Sequence, residues 1–525
     1  MALSVRSPWV VLLGSSLFLA CGSDDAVGGA GPTCDAPPTP ETRWFVDRTA
    51  ELGVGFQHHM STDFCHITDT VGGPGTCVFD ADGDDDLDVF FPDRAGHSSA
   101  LYRNDGAVFT DITGEAGVGS PGDAIGCLAF DYDGDDDADL LVTNASGANT
   151  LYRNDGGRFA DVSAAANLVE AGFSTSATAG DIDGDGDLDL FVGRLVGLET
   201  CPDACYLQPL ACDAERNLLY VNQGDGTFVE EAGPRGLTTA DPTLAALFFD
   251  EDDDGDLDLY VGNDMGVAFD DRLYRNDGSG RFTDVGFDRG YSAAGTDTMG
   301  VDVGDFDGDG VTDMVTTDFK ARPTRLYRCS SSRDLPCSFE ALPVESTTWV
   351  NWAVALEDFD GDGDLDVFQT SGDVFDEELV GSPNQLFRND DGLLHFVEPT
   401  QDDALAHLGI HRGAAFGDLD GDLDVDVVVA TAGAAPLVLE NVGSSGHSIL
   451  VDVGLRAAGA KITVNVAGRA ITEQALIGGG YLGSSDPRVH FGLGEACEAE
   501  VSVRFLDGRV ATTLAKADSV VVLRP

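Results

Sequence analysis

Positive charge is what this chain has least of. Its 525 residues hold 29 Lys and Arg against 93 Asp and Glu, a formal net charge of −64. Nucleic acid is held by basic surfaces, so this balance excludes it as a partner and favours cations or basic surfaces. Catalytic motifs are absent too. No HExxH, no P-loop GK[ST] and no GxSxG stands in the chain beyond its leader. No two cysteines have the CxxC spacing, which argues against zinc. The stretch from Gly117 to Gly122 matches GxGxxG but carries Pro121 where a helix would have to run, so it reads as a turn. The nine histidines are scattered. His58 and His59 could be ligands, but adjacent residues on a strand point to opposite faces, so a core or surface role is expected.

Long apolar runs are missing as well. The one candidate, Trp9 to Ala20, follows a single early Arg6 and is too short to cross a bilayer. It fits a secretory signal. It ends Leu17-Phe18-Leu19-Ala20-Cys21, and a small residue directly before a cysteine resembles a bacterial lipobox. Residues 1–21 therefore read as a signal peptide with Cys21 as the lipidation site. Residues 22–42, rich in Gly, Pro and Asp, read as a flexible tether. Setting Cys21 aside leaves ten of eleven cysteines, an even number that suits disulfides in an exported chain. Cys65 and Cys77, Cys329 and Cys337, and the group Cys201, Cys205 and Cys212 are close in sequence, but spacing leaves the pairing open.

What the chain has in excess is aspartate in a repeated text. DADGDDDLDVF begins at Asp80, and versions of it begin at Asp131, Asp181, Asp250, Asp305, Asp358 and Asp418, at intervals of 51, 50, 69, 55, 53 and 60 residues. Periods near this length belong to solenoids, propellers and arrays. Apolar strand-like residues flank each run, as in Leu188-Asp189-Leu190-Phe191-Val192. A second signature follows: Leu101-Tyr102-Arg103-Asn104 with Phe109, Leu151-Tyr152-Arg153-Asn154 with Phe159, and related copies at Leu219, Leu273 and Leu386. Asn-Asp-Gly after Tyr-Arg is a hairpin turn. Two strands around the acidic loop and two around this turn make a four-stranded unit, one propeller blade. The seventh copy lacks its last strand, and Phe45-Val46-Asp47 at the N-terminus supplies matching text, so the closing strand is expected from there. The fold class expected is all-β: a seven-bladed β-propeller with calcium-binding blade loops over residues 43–445, then a small β domain over 446–525.

Within each acidic run carboxylates recur at positions 1, 3, 5 and 9. These are Asp80, Asp82, Asp84 and Asp88; Asp131, Asp133, Asp135 and Asp139; Asp181, Asp183, Asp185 and Asp189; and Asp250, Asp252, Asp254 and Asp258. The remaining three sets are Asp305, Asp307, Asp309 and Asp313; Asp358, Asp360, Asp362 and Asp366; and Asp418, Asp420, Asp422 and Asp426. Odd positions of a tight turn converge, the carbonyl at position 7 can join them, and hard oxygen ligands select Ca²⁺. Position 6 needs a left-handed backbone. Gly186, Gly255, Gly310 and Gly363 supply it freely and Asp85 and Asp136 tolerate it, whereas Leu423 does so at a cost of roughly 1–2 kcal/mol. The loop at Asp418 is therefore expected to be the weakest site.

The repeats resemble the FG-GAP/VCBS repeats of integrin α-subunit heads, and the LYRN text is similar to bacterial relatives of cartilage acidic protein. Gly459 to Val464, Gly478-Gly479-Gly480-Tyr481-Leu482 and His490-Phe491-Gly492-Leu493-Gly494 resemble the ASPIC/UnbV domain. Departures are Gly483 where Ser is usual, Phe505-Leu506 for Trp-Pro, and Cys329 in place of the repeat Asn. The resemblance implies an exported, non-catalytic, calcium-binding surface protein: a binding or adhesion module for a protein or glycan at the cell surface. It would touch the membrane through the lipid anchor only, as an outer or cell-surface membrane lipoprotein, or be secreted. The alternative is a calcium-stabilised enzyme acting on polysaccharide, with Trp349 and Trp352 as sugar platforms.

Overall fold

A computed structural model describes residues 34, 36–59, 71–94, 96–106, 108–119, 122–197, 213–266, 268–292, 295–319, 321–331, 335–373 and 381–525. Cys21, the leader, most of the expected tether, Cys65 and the Cys201–Cys212 insertion lie outside them.

Each acidic run connects two strands. In blade 1 the strand Cys77–Phe79 leads in and Asp88–Phe91 leads out, followed by Ala100–Asn104 and Phe109–Asp111, all paired antiparallel in sequence order. Five more sheets repeat the pattern, with first strands Ala124–Phe130, Ser174–Gly180, Thr243–Phe249, Val301–Gly304 and Asn351–Glu357. The last sheet runs His411–Gly417, Asp426–Thr431 and Leu437–Asn441, and takes its fourth strand from Phe45–Asp47 at the N-terminus. Phe45 stands opposite Asn441 in that pairing, and its buried ring packs edge-on against Phe359 and Phe368 of blade 6, both 5.8 Å away. The first strands touch in order, and that of blade 7 touches that of blade 1, so the sheets close into a β-propeller. Closure by the N-terminal strand leaves no open edge where the chain begins and ends its ring.

The Leu-Tyr-Arg-Asn signature holds neighbouring blades together. The side-chain amide of each Asn donates to a carbonyl in the acidic loop of the preceding blade: Asn154 to Ala81, Asn222 to Tyr132, Asn276 to Ile182, Asn389 to Phe306, Asn441 to Phe359 and Asn104 to Leu419, at 2.8 to 3.1 Å. The junction of blades 4 and 5 differs because Cys329 stands where the Asn would be. There Cys329 bonds Cys337, and Arg289 reaches the buried carboxylate of Glu251, at position 2 of the blade 4 loop, with Nε 2.8 Å from it. Arg289 follows the fourth strand of blade 4, and its carbonyl accepts the Cys337 N–H of blade 5 at 2.8 Å, so this connection takes the place of the amide at that joint.

Residues from His447 onward form two small sheets around their own core. Val489–Gly494, His447–Asp452 and Ser519–Val522 make one. Arg469–Gln474, Lys461–Val466, Glu498–Arg504 and Val510–Lys516 make the other. Ile449, Ile462, Val464, Phe491, Val501 and Val503 lie between them. From this domain residues 477–486 enter the axis of the ring. The Ile477 carbonyl accepts from Ala179 in blade 3, Gly480 donates to Val301 in blade 5, and the Ser484 carbonyl accepts from Val78 in blade 1. Asp486 donates to Phe416 in blade 7. The Tyr481 ring lies 4.8 Å from the fully buried Trp352 of blade 6. At Gly483 a Cβ would stand 2.6 Å from the Thr76 carbonyl oxygen and 2.9 Å from that of Ala414, so the close passage there needs glycine.

Disulfides tie the parts. Cys77 bonds Cys127 of the neighbouring blade, not its sequence neighbour Cys65. Cys34 bonds Cys497, so the expected tether 22–42 is anchored to the C-terminal domain at Cys34. Sequence spacing had no means of finding either pair, since each depends on how strands meet in the ring.

The Asn joints make a direct prediction. Asn154→Ala leaves two buried carbonyls, Ala81 and Ala138, without their donor. It should destabilise the protein by about 1–3 kcal/mol in denaturant unfolding, and a loss below a few tenths would contradict the joint.

Candidate metal centres

Every acidic loop hangs between the first and second strands of its blade, so all seven lie at one end of the ring. Position 9 opens the second strand and pairs with the last residue of the first, as Phe79 with Asp88, Phe130 with Asp139 and Gly417 with Asp426. Its carboxylate is fixed from two sides. In blade 1 the Ala81 N–H donates to Asp88 Oδ2 at 3.0 Å and the Asn104 N–H to Oδ1 at 2.7 Å. The same residue that joins blades thus also holds the acid of its own loop. The pattern persists at Asp139, Asp189, Asp258, Asp366 and Asp426, and Cys329 donates to Asp313 at the altered joint.

Position 1 organises the turn itself. Asp80 accepts from Gly83 at 2.7 Å, Asp84 at 3.2 Å and Asp85 at 3.0 Å. Position 5 accepts the N–H of position 7, as Asp84 does from Asp86 and Asp185 from Asp187. All seven residues at position 6 are left-handed, with φ of 70 to 95°. Leu423 is among them at 72°, and its N–H still meets Asp418 Oδ2 at 3.1 Å. Blade 7 therefore keeps the shared loop backbone and carries the strain of a left-handed leucine instead of relaxing to another turn. Position 4 is left-handed as well, glycine in six loops and Asp253 in the fourth; that requirement was not drawn from the sequence, although its glycines stand in plain view.

The geometry brings positions 1, 3 and 9 together. One oxygen each from Asp80, Asp82 and Asp88 lie within 4.8 Å of one another, as do those of Asp131, Asp133 and Asp139 and of Asp181, Asp183 and Asp189. In blade 4 the convergent set is Asp250, Asp252 and Asp254, at positions 1, 3 and 5. Hydrogen bonds do not use all of these atoms. Asp82 Oδ1, Asp183 Oδ1, Asp305 Oδ1 and Asp313 Oδ2 are buried without a hydrogen-bond partner among the described residues. Buried carboxylate oxygens left unmatched, converging with others in a turn, fit a hard divalent cation. The residues that would hold it are those at positions 1, 3, 5 and 9.

Cations brought by the C-terminal domain settle mainly beside these positions. Arg456 pairs with Asp187 at 2.9 Å and Arg469 pairs with Asp364, both at position 7. Lys461 and Arg504 meet Asp253 at position 4, and Arg504 also stands 4.0 Å from Asp250. Gly492 lets the domain approach the sixth loop, since a Cβ there would fall 1.9 Å from Asp358 Oδ2, and the Gly494 N–H donates to the Gly361 carbonyl at 2.9 Å. The family motifs of the C-terminal domain are thus the surfaces that seat it on the acidic end of the ring.

The FG-GAP-like repeat family matches residues 131–192, 250–316 and 358–429, each stretch starting at the first aspartate of an acidic loop. The ASPIC and UnbV family matches residues 454–525. The chain is a protein of FG-GAP-like repeats with a C-terminal ASPIC and UnbV domain. It is homologous to cartilage acidic protein 1, with 28% identity to the Homo sapiens protein over 334 residues, 59% of this chain and 47% of that one. The Mus musculus protein is 30% identical over 275 residues, 49% of this chain and 40% of its own length. The matched region therefore spans less than half the length of these relatives. Among solved structures, a WD40 domain from Toxoplasma gondii coronin aligns with a TM-score of 0.41 and 11% identity, covering 78% of this chain and 89% of that one.

Burial raises the proton affinity of the position 9 acids. Desolvation pushes Asp88 up to about 7 and Asp139, Asp189 and Asp313 up to about 8, and lifts Asp258, Asp366 and Asp426 well above the usual carboxylate range. An unfolded chain titrates these groups near about 3.9. Between those limits the folded chain stripped of divalent cations holds more protons than the unfolded one, so its stability must fall as pH rises. In EDTA the melting temperature should therefore climb as pH drops from 8 toward 5. A melting temperature that instead rises with pH over this window would mean that these acids are ionised and stabilised without a metal.

Proposed function

We propose that the chain is an exported, calcium-loaded β-propeller that serves as a binding or adhesion module for a protein or glycan at a cell surface. The observation that carries this reading is the recurrence of four carboxylate positions in seven equivalent loops, with buried oxygens that no hydrogen bond uses. Seven all-oxygen sites spread around one end of a ring suit ions that stiffen a scaffold, because each would lock the turn between the first two strands of a blade. Export is supported by three disulfides among the described residues, which fit an extracellular or other oxidising compartment. Lipidation at Cys21 remains part of this proposal. No helix among the described residues is long and apolar enough to cross a membrane.

The non-catalytic reading draws support from the axis, where propeller enzymes commonly assemble residues from several blades. Here the C-terminal domain enters it. A space of about 80 Å³ remains there, lined by Asp302, Glu357 and Glu473 among others, and residues 485–490 of the C-terminal domain form one wall. Trp352 offers no sugar platform: it is fully buried, with Arg412 over one face at 3.8 Å and Tyr481 beside it. Activity on a glycan panel remains the test of the alternative.

Calcium should show first as stability. A ligand that binds only the folded state adds RT ln(1 + [L]/Kd), about 2.7 kcal/mol per site at a hundredfold excess over Kd. Melting in EGTA should fall far below melting in millimolar calcium, with magnesium giving less protection. Equal melting temperatures in EGTA and calcium would remove the calcium reading.

A further inference from the structure

At the opposite end of the ring from the acidic loops, a cluster of different chemistry joins two segments. The second strand of blade 1, Asp88–Phe91, starts at its acidic loop and ends at the far side, where Asp93 and His97 follow. The chain that leaves the closing strand Phe45–Asp47 arrives at the same place with His58 and His59. The adjacent histidines do face opposite ways. His58 is buried, edge-on to Phe56 and Phe91 with ring centroids 4.9 and 5.7 Å away. His59 faces out, with Nδ1 2.6 Å from Asp93 Oδ2.

We propose that His59, Asp93 and His97 form a binding site for one divalent cation of the zinc class, separate in place and in donor chemistry from the acidic loops. One ligand atom from each of the three lies within 4.8 Å of the others. The imidazoles of His59 and His97 are stacked, with centroids 3.4 Å apart and planes 6° from parallel. Asp93 is the fixed member. It is 2% exposed, its Oδ1 accepts the N–H groups of His59 at 3.0 Å and Arg94 at 2.9 Å, and its own N–H donates to Ser99 Oγ at 3.2 Å. Asp93 is held by backbone donors beside two exposed imidazoles, and these parallel rings would splay to aim their in-plane lone pairs at one ion.

The donor set decides the class of ion. Two imidazoles and one carboxylate suit Zn²⁺ and its neighbours among the later first-row metals, whereas Ca²⁺ prefers the all-oxygen loops. Three protein ligands leave a fourth tetrahedral position for water or a partner's side chain. The lack of a CxxC pair argues against a thiolate zinc site and has no bearing on this one. A metal here would stitch the segment that follows the closing strand to the end of the second strand of blade 1.

The test is titration of tag-free, full-length protein with Zn²⁺ in saturating calcium, followed by calorimetry, with Co²⁺ absorption as a probe of coordination. One Zn²⁺ per chain is expected, undisplaced by calcium, with affinity at least about tenfold weaker in His59→Ala and in His97→Ala. Both side chains are exposed, so the variants should fold. Equal zinc binding by the wild type and a His59→Ala, His97→Ala double variant, or displacement of zinc by calcium, would overturn the assignment.

Discussion

The position 9 carboxylate is the contact on which the rest of this structure depends. It sits at the start of each second strand and, in every blade but the fifth, takes one N–H from its own loop and another from the Asn of the third strand, and so locks the acidic turn to the sheet. The side chain of that same Asn then reaches the loop of the preceding blade. Loop, blade and ring are thereby one hydrogen-bonded system. Anything that neutralises the loops acts on blade packing as well, and a proton or a cation can do so. This coupling explains why so much negative charge is tolerated next to fully buried residues such as Phe79 and Phe90.

The second constraint is the C-terminal domain. It meets the acidic end of the ring with Arg456, Lys461, Arg469 and Arg504, and these pair chiefly with acids at positions 4 and 7. The C-terminal cations thus fall beside the convergent positions, whereas arginines of the propeller itself reach the position 3 acids, as Arg235 does Asp183 at 3.0 Å and Arg275 does Asp252 at 3.1 Å. Gly478 and Gly483 let backbone pass close to backbone on the axis, where a Cβ would collide with Ala177, Thr76 and Ala414. The family motifs of this domain are packing devices that make it part of the propeller's core, further secured by the Cys34–Cys497 disulfide.

Much of this was legible in the amino-acid sequence because it is periodic. The spacing of the aspartates gave the blades, and the stray Phe45-Val46-Asp47 text gave the closing strand, since a missing strand at one end and an extra one at the other have a single economical solution. The left-handed position 6 was readable from Gly186 and its equivalents, and Leu423 obeys it at φ 72°. Apart from that closing strand, what escaped depends on two distant segments meeting. The repeat Asn was read as part of a turn; its role as a joint needed the neighbouring loop, although Cys329 as the exception, with Arg289 and Glu251 compensating, was a clue in the text. The Cys77–Cys127 bond, the axial insertion and the His59–Asp93–His97 cluster likewise have no local signature.

The most direct test is a crystal structure grown at limiting calcium, with the anomalous signal measured at each loop. The account predicts ions bounded by positions 1, 3, 5 and 9, filling the loops at Asp181 and Asp358 before the strained loop at Asp418. Loops that hold only water when calcium is in excess would contradict the account at its centre.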